Sequence, residues 1–383
     1  MNKLTIAVVF GSRSTEHDVS VVTAIGSIIK PLEMSGNYNV VPVYIDKNGN
    51  WFSDPKLKDI SLFSSGKIDE FLQKQKPLAI KIGNCLELVK LGIKPKSIKI
   101  DVVFPATHGT HGEDGELMGL LEMAGVPYIG CDMPSSVLSM DKALAKIITA
   151  ASGIPSSKFI WFYENEFKTD KQAVLRRLSD LKFPLFVKPV HLGSSIAITK
   201  VNDASQLINA IEVAAHYDNK IIVEEAVTNL VEVTVPVMGN LKPVPALVEQ
   251  PLTESENFFD FESKYMRSGK KGGGSKQAQG YSKLPADIPT VLYKRAENLA
   301  IDVYKALGCS GIARVDLLID MHSKEIYFNE VNPLPGSLYE HNWRQSGISS
   351  VELVDKLVKL SIERFDSRKN LTTVFTTSYL KQY

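Results

Sequence analysis

Cysteine is scarce: Cys85, Cys131 and Cys309 are the whole complement of 383 residues, odd in number, far apart and never in Cys-x-x-Cys spacing. That pattern suggests neither a disulfide framework nor a zinc site, and its natural home is a reducing cytoplasm. An excess of charge of one sign is also missing. With 44 Lys and Arg against 43 Asp and Glu, the chain carries no field for nucleic acid or an anionic membrane, so any phosphate chemistry must rest on local groups. Long apolar runs are absent as well. Leu4 to Phe10 is too short for a signal segment, and nothing later approaches the ~18 apolar residues of a membrane span. No internal repeat is visible. What remains is an ordinary globular composition, 44% hydrophobic and 23% charged, at a length that calls for two or three domains.

The densest chemistry lies between Arg314 and Ser337. Leu317 to Ile319 and Ile326 to Phe328 are apolar runs flanking a polar Met321 to Lys324 turn, which predicts a β-hairpin. Side chains alternate along a strand, so Arg314 and Asp316 share one face, as do Glu330 and Asn332. If Ile319 pairs with Tyr327, Asp316 lies opposite Glu330 and Arg314 opposite Asn332. Two carboxylates facing each other across a sheet repel unless a cation lies between them. A hard ion such as Mg²⁺ suits such a face, because it accepts a few carboxylates and fills its other positions with water and nucleotide phosphate. The exit, Asn332-Pro-Leu-Pro-Gly336, is a rigid turn that brings backbone N–H groups close to whatever the face binds.

Earlier segments repeat the sequence strand, polar glycine loop, helix. Leu4 to Phe10 runs into Gly11-Ser-Arg-Ser-Thr-Glu16-His-Asp18 and a helix over Val19–Ile29, capped by Ser14, Thr15 or Asp18. Asp101 to Ala106 runs into His108-Gly-Thr-His-Gly-Glu113-Asp-Gly115 and a helix over Glu116–Ala124. That is a doubly wound α/β arrangement, which binds ligands at the carboxyl ends of its strands; Glu16, His108 and Glu113 fall there. Val40–Tyr44 and Val126–Ile129 are further strands, and residues 51–99 are a mixed region.

A second domain begins near Asp132. Its first helix starts at Ser135 or Ser136 and ends at Gly153, with Val137, Met140, Leu144, Ile147 and Ala151 as its apolar stripe and Lys142 off it. Phe183 to Lys188 is a strand closing on a lysine beside His191-Leu-Gly193-Ser194-Ser195, a turn rich in N–H and hydroxyl donors for phosphate. Ile196–Val201 is another strand. Lys220–Val227 is a strand whose end offers backbone groups to an adenine edge, and Glu232 in the next strand can take ribose hydroxyls. Residues 258–280 read as a lid anchored by aromatic residues, with a glycine-rich tip that lacks P-loop order. Helices follow over Thr290–Leu307 and Val351–Arg364.

Taken together, these segments resemble the D-alanine:D-alanine ligase family of ATP-grasp enzymes. The resemblance rests on Glu16-His-Asp-Val-Ser20, His108 to Gly115, Met140-Asp-Lys142, Val187-Lys-Pro189 with Gly193-Ser-Ser195, Lys264-Tyr265, Arg314-Val-Asp316, and Asn329-Glu-Val-Asn332 with Pro335-Gly336, in this order along nearly the whole chain. It implies an α/β ATP-grasp fold behind a doubly wound N-terminal domain of parallel strands. The expected units are residues 1–132, 133–228 and 229–383, with lid 258–280 and metal-binding hairpin 314–336. Lys142, Lys188 and Ser195 would hold ATP phosphates, Glu224, Glu225, Ala226 and Val227 the adenine, and Glu232 the ribose. Asp316, Glu330 and Asn332 would bind two Mg²⁺ ions, with Mn²⁺ as a substitute. Glu16, Ser194 and Tyr265 would hold the lid closed, and Glu16 would also bind the first substrate's ammonium group. Arg314 and the Gly336 N–H would stabilise the oxyanion. His108 would steer the first carboxylate, with Glu113 beside it, and Lys264 would contact the acceptor. A homodimer acting on D-amino acids, in a cytoplasmic route to peptidoglycan, is the family's expectation.

Departures cluster near the acceptor. After Gly336 the chain reads Ser337-Leu-Tyr339-Glu-His341-Asn-Trp343, with His341 where the family's carboxylate-holding serine stands. The expectation is an acceptor carboxylate held partly by His341, with Tyr339 and Trp343 beside it. Ile196-Ala197 also replaces the usual Val-Gly. The leading reading is an ATP-dependent ligase that joins two D-alanines through an acylphosphate. An alternative keeps the activation step but joins a different acceptor, either another amino acid or a peptide amine. A third is a nucleotide-binding homologue without turnover, against which the complete Asp316, Glu330 and Asn332 set argues.

Overall fold

The computed structural model describes residues 3–83, 85–92, 95–193, 196–252 and 282–383. Ser194, Ser195, Lys264, Tyr265 and the expected lid over 258–280 lie outside the described residues.

Strand Leu4–Gly11 is the axis of the first sheet, parallel to Tyr38–Ile45 on one side and Val102–Pro105 on the other, with Trp51–Phe52 as an antiparallel edge. Its apolar run is continuous because both faces are covered. Ile6, Val8 and Phe10 enter one core with Val21, Ile25, Ile28 and Leu32, while Ala7 and Val9 enter another with Val103, Leu117 and Leu121. Residues 51–99 resolve into short helices and a three-stranded antiparallel sheet, Leu78–Lys81, Leu86–Lys90 and Lys96–Ile100, which closes the second core. The first helix does not stop at Ile29. It runs as α over His17–Val22, π over Thr23–Ile29 and α again over Lys30–Ser35, ending at Gly36 with φ 68°. Pro31 falls in the first turn of that last segment, where its missing N–H costs least. None of the expected caps bonds the helix start through its own side chain; the Ser14 hydroxyl instead accepts from the Glu16 N–H, one step outside it. Val126–Ile129 contributes only a bridge, Tyr128 to Val103, rather than a strand.

The second sheet is antiparallel, in the order Thr199–Val201, Leu185–Pro189, Lys220–Glu225, Phe159–Tyr163. Its first strand is three residues long, not the six of Ile196–Val201. Helices Lys171–Leu178 and Ala204–Ala215 pack Val174, Leu178, Leu207 and Ile211 on it. A third sheet, also antiparallel, runs Val244–Pro245, Leu230–Met238, Ile312–Asp320, Ile326–Asn332, under helix Thr290–Ala306. The closing helix, Ser350–Lys369, is longer than expected. It returns to the first core, where Leu353, Val354, Leu357 and Val358 meet Ile28 and Leu32. Among the described residues no helix is long and apolar enough to cross a membrane.

Two further expectations need correction, and both bear on the site. The helix expected from Ser135 or Ser136 to Gly153 is two helices, Met133–Met140 and Lys142–Ala151, capped by Asp132 and Asp141 rather than by serine. Asp141 is extended (φ −85°, ψ 97°) and accepts from the Leu144 N–H, which breaks the first helix and starts the second. The predicted stripe is therefore not the buried face: Val137 and Ile147 are exposed, whereas Ser136, Lys142, Ala143, Lys146 and Thr149 are buried. In the hairpin, Ile319 pairs with Ile326 and Leu318 with Tyr327, one step off the assumed register, yet Asp316 still faces Glu330 and Arg314 faces Asn332. A bulge between Asp316 and Leu317 reconciles the two halves: Asn329 is the extra residue on the returning strand. Bulges of this kind re-aim side chains beside active sites.

Candidate active site

The three sheets converge on the hairpin face. Arg314 binds Asp316 through two nitrogens, Nε to Oδ1 at 2.9 Å and a terminal nitrogen to Oδ2 at 2.6 Å, and the Thr234 hydroxyl donates to Asp316 Oδ1 at 2.9 Å. Glu330 lies 3.4 Å from Lys142 Nζ. Asn332 Oδ1 accepts from the Leu334 N–H, which sets the rigid exit turn. Lys142, the first residue of its helix, is buried rather than a solvated surface lysine, and Nζ donates to the Leu192 carbonyl at 2.7 Å. It therefore bridges the loop after Lys188 and the hairpin.

Behind it lies a buried charge ladder that the sequence reading missed in part. Lys188 Nζ donates to Glu224 Oε2 at 3.0 Å, and Lys146, fully buried one turn beyond Lys142, sits 3.6 Å from Glu224 Oε1 and 3.3 Å from the Phe328 carbonyl. Burial pushes the Glu224 carboxyl up, but Lys146 and Lys188 outweigh it and hold it below the ordinary glutamate value. Lys146 is displaced downward by burial, which Glu224 offsets only partly. Its i, i+4 spacing from Lys142 was the available signal. Glu225 follows on the strand, where its carboxylate accepts from the Lys182 N–H, leaving backbone at Glu225, Ala226 and Val227 as the group that can face a base. Glu232 stands on the neighbouring sheet, opposite Leu318.

On the other side of the hairpin the first-sheet loops meet. Gly109 has φ +69°, and a Cβ there would stand 2.6 Å from Ser14 Oγ and 2.9 Å from Glu16 Oε2; one at Gly193 would stand 3.2 Å from the same Glu16 oxygen. Glu16 thus lies against both loops; the sequence pattern placed the His108 loop beside it, and only the family resemblance linked it to the loop at Gly193. His108 Nε2 is 3.0 Å from the Thr23 hydroxyl, which also accepts from the Ser337 N–H at 3.0 Å. Thr23, which opens the π stretch, therefore ties the His108 loop to the residue after Gly336; the sequence reading did not single it out. Glu113 accepts from the Gly109 N–H, and burial raises its carboxyl.

The acceptor side differs from expectation. Ser337, Leu338 and Tyr339 are three successive non-glycine residues at φ 50°, 54° and 52°. Left-handed backbone of this kind costs of order 1 kcal/mol per residue and clusters at functional sites. The turn buries Leu338 and lays Tyr339 over Arg314, 5.4 Å from guanidinium carbon to ring centre. Trp343 does not line this region: helix Glu340–Gln345 turns it inward, 1% exposed, into the first core. His341 Nε2 lies 2.8 Å from Glu249 Oε2, a buried carboxylate that also takes the Asn342 amide at 3.2 Å. The sequence reading missed Glu249 as well. Burial pushes its carboxyl up, yet the His341 contact prevails and holds it low.

The buried lysine ladder lies against an oxygen-rich hairpin, beside a parallel-sheet loop, in a chain with the ATP-grasp fold of an ATP-dependent ligase. Two solved structures share it: the D-alanine-D-alanine ligase from Coxiella burnetii (TM-score 0.78, 28% identity, 96% of this chain and 97% of that one) and the VanG D-Ala:D-Ser ligase from Enterococcus faecalis (TM-score 0.76, 32% identity, 94% and 100%). Residues 5–131 match the family model for the D-ala D-ala ligase N-terminus and residues 148–359 that for its C-terminus, so the chain belongs to the D-alanine–D-alanine ligase family. Relatives named D-alanine--D-alanine ligase include those of Acetivibrio thermocellus (36% identical, covering 95% of this chain and 97% of that protein) and Caldicellulosiruptor bescii (37%, covering 97% and 98%).

Proposed function

We propose that the chain couples ATP hydrolysis to joining two D-alanines, making the dipeptide precursor of peptidoglycan in the cytoplasm, as a homodimer with the three-unit organisation 1–132, 133–228 and 229–383. The observation that carries the reading is the single face on which Arg314, Asp316, Glu330 and Asn332 meet Lys142. The donor set fits Mg²⁺: Asp316, Glu330 and Asn332 offer only oxygen, and the two carboxylates face each other across the strands. When bound, Mg²⁺ spreads the charge of the transferring phosphate.

The chain's own groups do the rest. Lys142 and Lys188 neutralise the phosphates, Glu225 to Val227 present backbone to the base, and Glu232 takes the ribose. Glu16 holds the first substrate's ammonium group, and His108, fixed by Thr23, orients its carboxylate for in-line attack on the γ-phosphate. Arg314, kept in place by Asp316 and stacked under Tyr339, donates to the oxyanion as the second amine displaces phosphate; such donors contribute roughly 3 to 4 kcal/mol. Glu16 joins Ser194 and Tyr265 in excluding water from the acylphosphate, and Lys264 meets the acceptor.

Phosphate release measured across pairs of D-amino acids, with product mass, tests the assignment. ATP consumption that depends on D-alanine and yields the dipeptide supports it; turnover without a D-alanine requirement refutes it. The His341–Glu249 pair favours a second reading, with the same donor and an acceptor other than D-alanine. A higher rate with D-serine or a bulkier D-amino acid as acceptor would select it.

A further inference from the structure

Between Lys142 and the phosphate-binding loop lies a four-residue ionic cluster that the reaction as described does not use. His191, the second residue beyond strand Leu185–Pro189, is gripped on both ring nitrogens. Nδ1 lies 3.0 Å from Asp218 Oδ2, and Nε2 lies 3.3 Å from Asp141 Oδ2. Its backbone N–H also donates to Asp218 Oδ2 at 2.7 Å. Lys220 Nζ donates to the same Asp141 oxygen at 2.6 Å and sits 4.5 Å from the centre of the Trp161 ring. Asp141, Asp218 and Lys220 are almost wholly buried, whereas His191 is open on one side.

The cluster's position gives it a consequence for nucleotide binding. Asp141 is the residue that breaks the helix and starts the next one at Lys142. His191 precedes Leu192, whose carbonyl holds the Lys142 ammonium group, and Val190 accepts from the Lys142 N–H at 3.5 Å. Asp218 also accepts from the Lys220 N–H, at the start of the strand that carries Glu224. Three segments that bring charge to the phosphates are thus fastened to one imidazole. Resting on the ATP-site assignment above, we propose that His191 is a positioning residue for ATP: held between Asp141 and Asp218, it sets the distance between the Lys142 ammonium group and the loop that follows Lys188.

Two carboxylates against one lysine leave the cluster one positive charge short, and the imidazolium supplies it. Contacts to Asp141 and Asp218 raise the His191 pKa to about 9, so the ring is charged at neutral pH. Among the described residues, Asp141 at the cap of one helix, and Asp218 and Lys220 at the start of one strand, are the charged groups against it. Above that pH the neutral ring cannot donate to both carboxylates, and the loop loses its tie to Lys142.

The test is steady-state kinetics of the full-length enzyme with Mg²⁺ and D-alanine from pH 6.5 to 10, for wild type, His191→Asn and His191→Lys. Wild type should show a KM for ATP that is flat to about pH 8 and rises about fivefold through pH 9, the size expected for a residue that acts through its neighbours. His191→Asn should hold that raised KM at every pH, with the KM of the first D-alanine within twofold of wild type. His191→Lys restores a cation that stays charged, so it should recover the low KM and delay its rise beyond pH 10. Identical ATP profiles in all three proteins, or equal rises in both KM values, would overturn the proposal, the second because it marks general loosening. A wild type that turns over without ATP would instead overturn the nucleotide assignment itself.

Discussion

Lys146→Met removes the charge of a fully buried lysine while nearly keeping its volume. In wild type the Lys146 ammonium group lies 3.6 Å from Glu224 Oε1, 3.3 Å from the Phe328 carbonyl and 3.5 Å from the Ser157 hydroxyl. Breaking one side of a buried pair costs about 3 to 5 kcal/mol, because the surviving charge is left in a medium that does not solvate it. Here Lys188 still holds Glu224 Oε2 at 3.0 Å, so the lower end, about 3 kcal/mol, is the working figure. For a cooperative unit of roughly 150 to 250 residues that lowers the melting temperature by about 6 to 12 °C. The pH dependence has a definite sign. Against the upward push of burial, Lys146 and Lys188 hold the Glu224 carboxyl below the ordinary glutamate value of 4.5 in the folded state, so its contribution is present above that value and lost as pH falls through the folded one. Without Lys146 the folded value moves up, and acid unfolding should begin at higher pH. Thermal and acid melts of Lys146→Met, Glu224→Gln and the double variant measure this directly. The double variant should be less destabilised than the sum of the singles by more than 1 kcal/mol, since Gln leaves no charge to strand. Additivity within about 0.5 kcal/mol would refute the ladder as a coupled unit.

Glu330→Gln should abolish ATP turnover at saturating Mg²⁺ with a melting temperature within about 2 °C of wild type, because the carboxylate faces Asp316 and needs the ion more than the fold needs it; near-normal turnover would sink the metal assignment. His341→Ser strips Glu249 of its imidazole partner at 2.8 Å, so the acceptor KM should change at least about threefold, or about 0.7 kcal/mol, with the first-substrate KM unmoved; an unchanged preference across D-alanine, D-serine and bulkier D-amino acids would mean the pair does not shape that subsite. His191, with its folded pKa near 9 against 6.5, stabilises the protein fully below pH 6.5 and loses that contribution as pH rises through 9. Discounted for its open side, this is worth ~1 kcal/mol, and a wild-type melting curve that falls no more steeply than that of His191→Asn between pH 7 and 10 would contradict it.

Why some of this was legible in sequence and some was not follows from the physics of each signal. The hairpin face could be read because alternation along a strand is local: Arg314 shares a face with Asp316, and Glu330 with Asn332, whatever the register. The inner register could not, because the bulge at Asn329 compensates a one-residue slip near the turn, and nothing in an apolar run distinguishes Ile326 from Tyr327 as the partner of Ile319. The helix break at Asp141 was hidden by the opposite failing: helical spacing continued through it, along a stripe of which Val137, Ile147 and Ala151 proved to be exposed. Burial of lysine is the least legible feature of all. A lone lysine is exposed by default, and only the distant Glu224, Glu330 and Asp141 make burial of Lys146, Lys188, Lys142 and Lys220 affordable. Each of those carboxylates comes from another segment, so the charge ladder exists only once the sheets are assembled. The same reasoning explains why Glu249 and Asp218 went unnoticed: each acquires its meaning from a histidine, His341 or His191, that the sequence places 92 and 27 residues away.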